Sequence, residues 1–142
     1  KNAAGAFIPF QNISETLYPQ ILTGDLKNSF EADYTSFIYT DSNGTWPGLV
    51  TKVKTDASLA TVKAEFKKQF EVTSPEVLMN LYPINPGEVS GVWKAGKTGT
   101  IANNYLVFQK EGSAVSLNYA FVNDLLIVSA SYDGFKAALN RL

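Results

Sequence analysis

The sequence predicts an α+β domain: one antiparallel sheet with two long helices packed on one of its faces. Three observations carry that expectation. Leu59, Val62, Phe66 and Phe70 recur at three- and four-residue intervals, the period of an amphipathic helix. Short β-prone runs at 36–40, 49–54, 105–110, 115–122 and 125–128 alternate with two-residue turn signals, which favours hairpins over crossovers. The two halves of the chain also look alike. Leu17-Tyr18-Pro19 and Leu81-Tyr82-Pro83 each precede strands and a closing helix, so 17–70 and 81–142 read as pseudo-repeats of a strand-strand-helix unit within one domain, 1–142.

From the N-terminus, Lys1 to Phe10 is apolar without a period, and Pro9 argues for an extended arm laid over the domain. Asn12 or Ser14 can cap a short helix with Leu17, Ile21 and Leu22 inward, Pro19 tolerated near its first turn and Gly24 ending it. Ser36 to Thr40 reads as a strand, Asp41-Ser42-Asn43-Gly44 as a turn and Leu49 to Lys54 as the returning strand. Asp56 or Ser58 caps the amphipathic helix, whose Lys63, Lys67, Lys68 and Glu71 lie on other faces and read as a solvated surface.

Pro75, Pro83, Pro86, Gly87 and Gly91 mark an irregular crossing with a short helix near Val77 to Leu81. A three-stranded meander follows, turned at Glu111-Gly112 and Asn123-Asp124 and ending in the continuous apolar run Leu125 to Val128. Ser131 then caps a last helix, with Phe135, Ala138, Leu139 and Leu142 on one face. Tyr, Phe and Val on both faces of 105–122 imply that the arm or a partner shields the face opposite the helices.

Composition excludes much chemistry. The chain has 142 residues, no cysteine and no histidine, hence no thiol nucleophile, no imidazole base and none of the usual zinc ligands. Neither a metal nor a cofactor is expected. Net charge is −1, and among twelve basic residues only Arg141 is arginine, so no basic field suits nucleic acid. No apolar run is long enough to span a membrane, and the absence of an initiating Met points to a processed form or an excised segment. A cysteine-free surface rich in Asn, Ser and Thr suits an exported bacterial protein.

The segment Gly91 to Thr100, GVWKAGKTGT, fits two catalytic patterns. Gly91, Gly96, Lys97 and Thr98 satisfy the phosphate-loop spacing, which needs a buried strand before it and a helix opening at Lys97-Thr98. Tyr82 to Gly87 upstream cannot be a central strand, and Tyr105 to Phe108 downstream is strand-like. Lys97-Thr98-Gly99 matches a transpeptidase motif, but no Ser-x-x-Lys exists to supply the nucleophile. The segment is therefore expected to turn at Gly96 to Gly99 and re-enter the sheet near Tyr105, with nucleotide binding at 91–98 as the alternative. Asp41, Asp56, Asp124 and Asp133 fit turns and caps, so no acid/base pair is expected. Trp46 and Trp93, beside glycine-rich segments, are the candidate partner-binding aromatics.

The tail from Ser116 to Leu142, with Tyr119-Ala-Phe121, Leu125-Leu-Ile-Val-Ser129, Phe135 and Arg141-Leu142, resembles the end of uncharacterised exported or membrane-anchored proteins of candidate-phylum bacteria. The resemblance extends back through Phe7 to Phe10 and Pro75 to Leu106. It implies an extracytoplasmic α+β domain attached to an N-terminal membrane segment, and it supplies no active-site residues. The expected function is a non-catalytic structural or protein-interaction module of the cell envelope, presenting Trp46, Trp93 or a sheet edge to a protein or envelope partner.

Overall fold

The computed structural model describes residues 7–17, 22–110 and 112–142. Strands β1 (Phe30–Asp41) and β2 (Gly44–Val53) form the first hairpin, closed where Asp41 Oδ1 accepts the backbone N–H groups of Asn43 at 2.8 Å and Gly44 at 3.0 Å. An aspartate at this place bonds the backbone two and three residues on, which sets the turn. β1 begins six residues before the expected start, through a register irregularity between Phe30 and Tyr34. Helix α2 (Leu59–Val72) follows, its Ser58 side chain accepting from Thr61 N, and α3 (Pro75–Met79) opens with proline in its first turn.

The second half builds the rest of the sheet from β3 (Glu88–Val89), β4 (Lys94–Thr98), β5 (Ile101–Lys110), β6 (Ser113–Val122) and β7 (Leu125–Ser129). Asn123 takes a left-handed φ of 55° in the two-residue turn before β7, a conformation that asparagine tolerates better than most residues. All pairings are antiparallel, in the order β1-β2-β7-β6-β5-β3, with β4 also on β5. β7 thus inserts between the two halves, and the last strand of the chain becomes central.

Cross-strand partners share a face, so register sorts the core into two sides. Leu49, Val128 and Tyr119 line one side, joined by Thr51, Leu126 and Phe121. Val50, Ile127 and Ala120 line the other. α2 covers the first side: Phe66 lies 5.0 Å from Tyr119 and 5.6 Å from Phe121, and Phe70 lies 5.5 Å from Tyr119, all edge-on. α4 (Tyr132–Leu139) covers the second, with Phe135 fully buried against Ala120 and Ile127. Its N-terminus is held by Ser131, whose Oγ accepts from Gly134 N at 3.0 Å. A Cβ at Gly134 would stand 2.8–3.0 Å from Ser131 Oγ, Ser129 Oγ and Tyr39 Cβ, so glycine lets the helix approach the sheet closely.

The α+β class and antiparallel sheet agree with the sequence expectation, but the two long helices lie on opposite faces. The reason is visible in β6, where neighbours Tyr119 and Ala120 point to opposite sides and are both buried. Both pseudo-repeats, 17–70 and 81–142, hold a hairpin followed by a helix, β1-β2-α2 and β6-β7-α4, but they differ around that unit. The first contributes two strands and a helix on one face, and the second five strands and a helix on the other.

Three local expectations also change. α1 spans Phe10–Leu17, starting where Asn12 N and Ile13 N bond Pro9 O, so neither Asn12 nor Ser14 is its cap. Ser14 Oγ instead donates to Gln11 O at 2.9 Å, Leu22 is buried outside the helix, and Gly24 opens a 3-10 helix, Gly24–Ser29. Leu142 is exposed, because the last helix ends at Leu139. The expectations for Lys1 to Ala6, Tyr18, Pro19, Ile21 and Glu111 lie outside the described residues.

Phe66, at 1% exposure, joins three rings of the larger core. Phe66→Ala is expected to lower unfolding free energy by about 3–5 kcal/mol in urea titrations, against about 0.5 kcal/mol or less for Ile84→Ala at an exposed loop position.

Candidate functional site

α1 and α2, which pack into the same core cluster, are anchored at different places. α1 is tied to the start of β1 by Gln11 Nε2, which donates to Phe30 O at 2.8 Å. α2 is tied over β6 by its phenylalanines. Between them lies a cavity of about 580 Å3. Phe10 and Ile13 of α1 and Phe66 and Phe70 of α2 form its walls, and Leu49, Leu117, Leu126 and Val128 are among its floor residues. Ser36 and Ile38 on β1 lie at its margin.

Among the described residues no Asp, Glu, Lys or Arg lines this space, and the polar side chains there are the hydroxyls of Tyr34 and Ser36. Neither hydroxyl has a carboxylate or amine beside it among the described lining residues to act as its base. It can desolvate an apolar group, at about 25 cal/mol per Å2 of apolar surface removed from water.

A polar cluster borders the C-terminal end of α2. Tyr119 Oη donates to Glu71 Oε1 at 2.7 Å, and Asn104 Nδ2 donates to the same carboxylate oxygen and to Tyr119 Oη, the latter at 3.0 Å. Burial, and then the Glu71 hydrogen bond and charge, push the Tyr119 phenol far above its ordinary range. Tyr119 is therefore a fixed donor, and one carboxylate oxygen of Glu71, Oε1, accepts two bonds. The cluster ties α2 to β5 and β6. A smaller cavity of about 240 Å3 beside the N-terminus of α4 includes Asp41 and Asp133. Asp41 is held below the usual carboxylate range, first by the Asn43 N–H. Among the described residues no group of three or more His, Cys, Asp or Glu could hold a metal ion.

The sequence-selected residues fall elsewhere. Trp46 is 8% exposed, packs edge-on at 6.3 Å from Tyr82, donates Nε1 to Asp41 Oδ1 at 3.2 Å and lines part of the smaller cavity. Trp93 is half-buried, 5.4 Å from Phe70 and 5.6 Å from Tyr119. Gly91 sits in the break between β3 and β4 with φ 92°, and Gly96, Lys97 and Thr98 lie within β4, paired to β5. The turn comes at Gly99-Thr100, later than expected, with Gly99 at φ 61°. No helix opens at Lys97-Thr98, so the nest of N–H groups and the helix dipole that a phosphate loop requires are not formed there.

Sequence reasoning missed the cavity because no motif marks it. Its one legible trace was the apolar character of both faces of the central strands, which required more than one covering layer.

No protein-family model matches the chain, and no curated protein matches it in sequence. No helix among the described residues is long and apolar enough to cross a membrane.

Two predictions follow the site chemistry. Because Lys97 is an exposed edge-strand residue, Mg-ATP and Mg-GTP are expected to leave the melting temperature of both the parent and Lys97→Ala unchanged. Tyr82 is buried with no hydrogen-bond partner for its hydroxyl among the described residues, and burial raises its pKa far above the ordinary phenol value. A raised folded-state pKa stabilises fully below the unfolded value, about 10, and that contribution is lost as pH rises beyond it. Tyr82→Phe is expected to be neutral or stabilising by up to about 1 kcal/mol near neutral pH. In urea titrations at alkaline pH it should lose less stability than the parent.

Proposed function

We propose that this chain is a non-catalytic binding module of the cell envelope, and that its cavity takes the uncharged apolar part of a ligand such as an acyl chain. The observation that carries this reading is the lining itself: about 580 Å3 walled by aliphatic and aromatic side chains, with the hydroxyls of Tyr34 and Ser36 for polarity among the described residues. Small-molecule sites have this volume and apolar character, with a few polar groups to orient the ligand. Ser36 and Tyr34, both on β1, would receive a hydroxyl or carbonyl of the ligand at the margin, while any charged headgroup stays in water. The cysteine-free, Asn-, Ser- and Thr-rich composition supports the extracytoplasmic setting. With Trp46 withdrawn from solvent, partner recognition falls to the cavity and the sheet edge rather than to an exposed tryptophan.

The test is binding of Nile red, a neutral apolar fluorophore, and its displacement by long-chain alcohols. The parent is expected to enhance the dye's fluorescence saturably. Val128→Phe, which fills the floor, should weaken binding about tenfold or more while keeping a cooperative melt. Equal binding by parent and variant would overturn the reading.

A further inference from the structure

The two margins of the sheet are built differently. One margin is formed by β3 and β4, only two and five residues long and interrupted at Gly91, with Lys94 and Lys97 along it. Short strands, a backbone break and lysines are the devices that stop a sheet edge from recruiting another strand. The other margin is β1, twelve residues long. From Tyr34 to Thr40 it reads Tyr-Thr-Ser-Phe-Ile-Tyr-Thr, without a charge, a proline or a glycine. Among the described residues nothing pairs with its outer side.

Which backbone groups face outward follows from β2. Pro47 O accepts from Ala130 N, and Val53 N donates to Asp124 O, so the odd-numbered residues of β2 point toward β7 and the even-numbered ones toward β1. Trp46, Gly48 and Val50 are opposite Tyr39, Phe37 and Thr35, which therefore bond inward. Ser36, Ile38 and Thr40 turn their N–H and C=O groups outward. All three are exposed, and Ile38, at 72%, is among the most exposed large apolar side chains of the described residues.

We propose that β1 pairs antiparallel with β1 of a second copy of this chain, about a two-fold axis at Ile38. In that register Ile38 meets Ile38 of the second copy and Ser36 meets its Thr40, each pair exchanging two backbone hydrogen bonds. Directly opposite residues share a face, so isoleucine packs on isoleucine and hydroxyl meets hydroxyl. The uncharged, palindromic Ser-Phe-Ile-Tyr-Thr pattern makes the edge complementary to itself, with no like charges brought together. Each copy has one such edge, and the guarded β3/β4 margin halts further addition, so the assembly closes at two. The pairing rests on the outward backbone groups of β1 and requires no ligand, although Ser36 and Ile38 also border the cavity.

The test is sedimentation velocity over a concentration series. The parent is expected to dimerise. Ile38→Lys and Ile38→Glu, at an exposed position that leaves the fold and circular dichroism intact, should each weaken dimerisation about tenfold or more by placing like charges across the axis. An equimolar mixture of the two variants should regain the dimer, because lysine then faces glutamate. A parent that remains monomeric, including one that adds only a foreign peptide at this edge, overturns the proposal. So does an Ile38→Lys protein that dimerises as the parent does, or a mixture of variants that stays monomeric. Nile red binding, measured on the parent alone because Ile38 borders the cavity, separates failure of the dimer from failure of the cavity reading.

Discussion

The structure depends on one constraint: the central strands are apolar on both sides, and each side must be covered. In β6, Leu117, Tyr119 and Phe121 alternate with Asn118, Ala120 and Val122, and in β7 Leu126 and Val128 alternate with Ile127 and Ser129. A single helical layer would leave one of these sets in water, at about 25 cal/mol for each exposed apolar Å2. The chain meets the constraint by sending α2 to one face and its last helix to the other. The two covers differ in chemistry. The α2 side is an aromatic assembly in which Phe66 and Phe70 stack on each other at 4.9 Å and meet Tyr119 edge-on, while the α4 side is a small aliphatic core around Phe135. Gly134 and the Ser131 cap permit the second arrangement, since α4 is short and needs close approach to bury the Phe135 ring.

Much of the local structure was legible because it is written in local chemistry. The spacing of Val62, Phe66 and Phe70 predicts α2, Ser58 and Ser131 predict helix starts, and Asp41 and Asn123 predict turns whose backbone bonds or left-handed conformation those residues supply. The side of the sheet on which each helix lands was not legible, because periodicity assigns a residue to a face of its own element and says nothing about which sheet face meets it. β4 escaped for a different reason. Its Lys-Ala-Gly-Lys-Thr sequence has little strand character, and pairing with Tyr105 to Ile101 of β5 imposes the extended form. The same tertiary pairing extends β1 back to Phe30 through polar Glu31 and Asp33.

The contrast between motif and cavity has the same origin. A phosphate loop is recognised by spacing, yet its chemistry comes from backbone N–H groups freed to surround an anion. In β4 the backbone is committed to a ladder with β5, so the spacing survives without the geometry. The cavity has geometry without spacing. Its walls come from α1, α2, β1 and β2 together, and its volume reflects where Gln11 fixes one helix and where Phe66 fixes the other. Neither distance is encoded in any short run of residues.

The position of β7 connects these features to the margins of the sheet. Inserting the last strand between β2 and β6 joins the two halves by backbone bonds, and it forces the first strand of the chain to the outside. A chain that placed β1 in the centre could carry a charged or interrupted edge elsewhere. Here the strand left outside is long and uncharged from Tyr34 to Thr40, and it also borders the cavity through Ser36 and Ile38. Lysine or proline at those outward positions would guard the edge in the usual way, but it would also put charge or a rigid ring at the margin of an apolar cavity. Ser36 and Ile38 therefore face two demands, an open backbone on one side and an uncharged rim on the other, and uncharged side chains meet both only where something covers the edge.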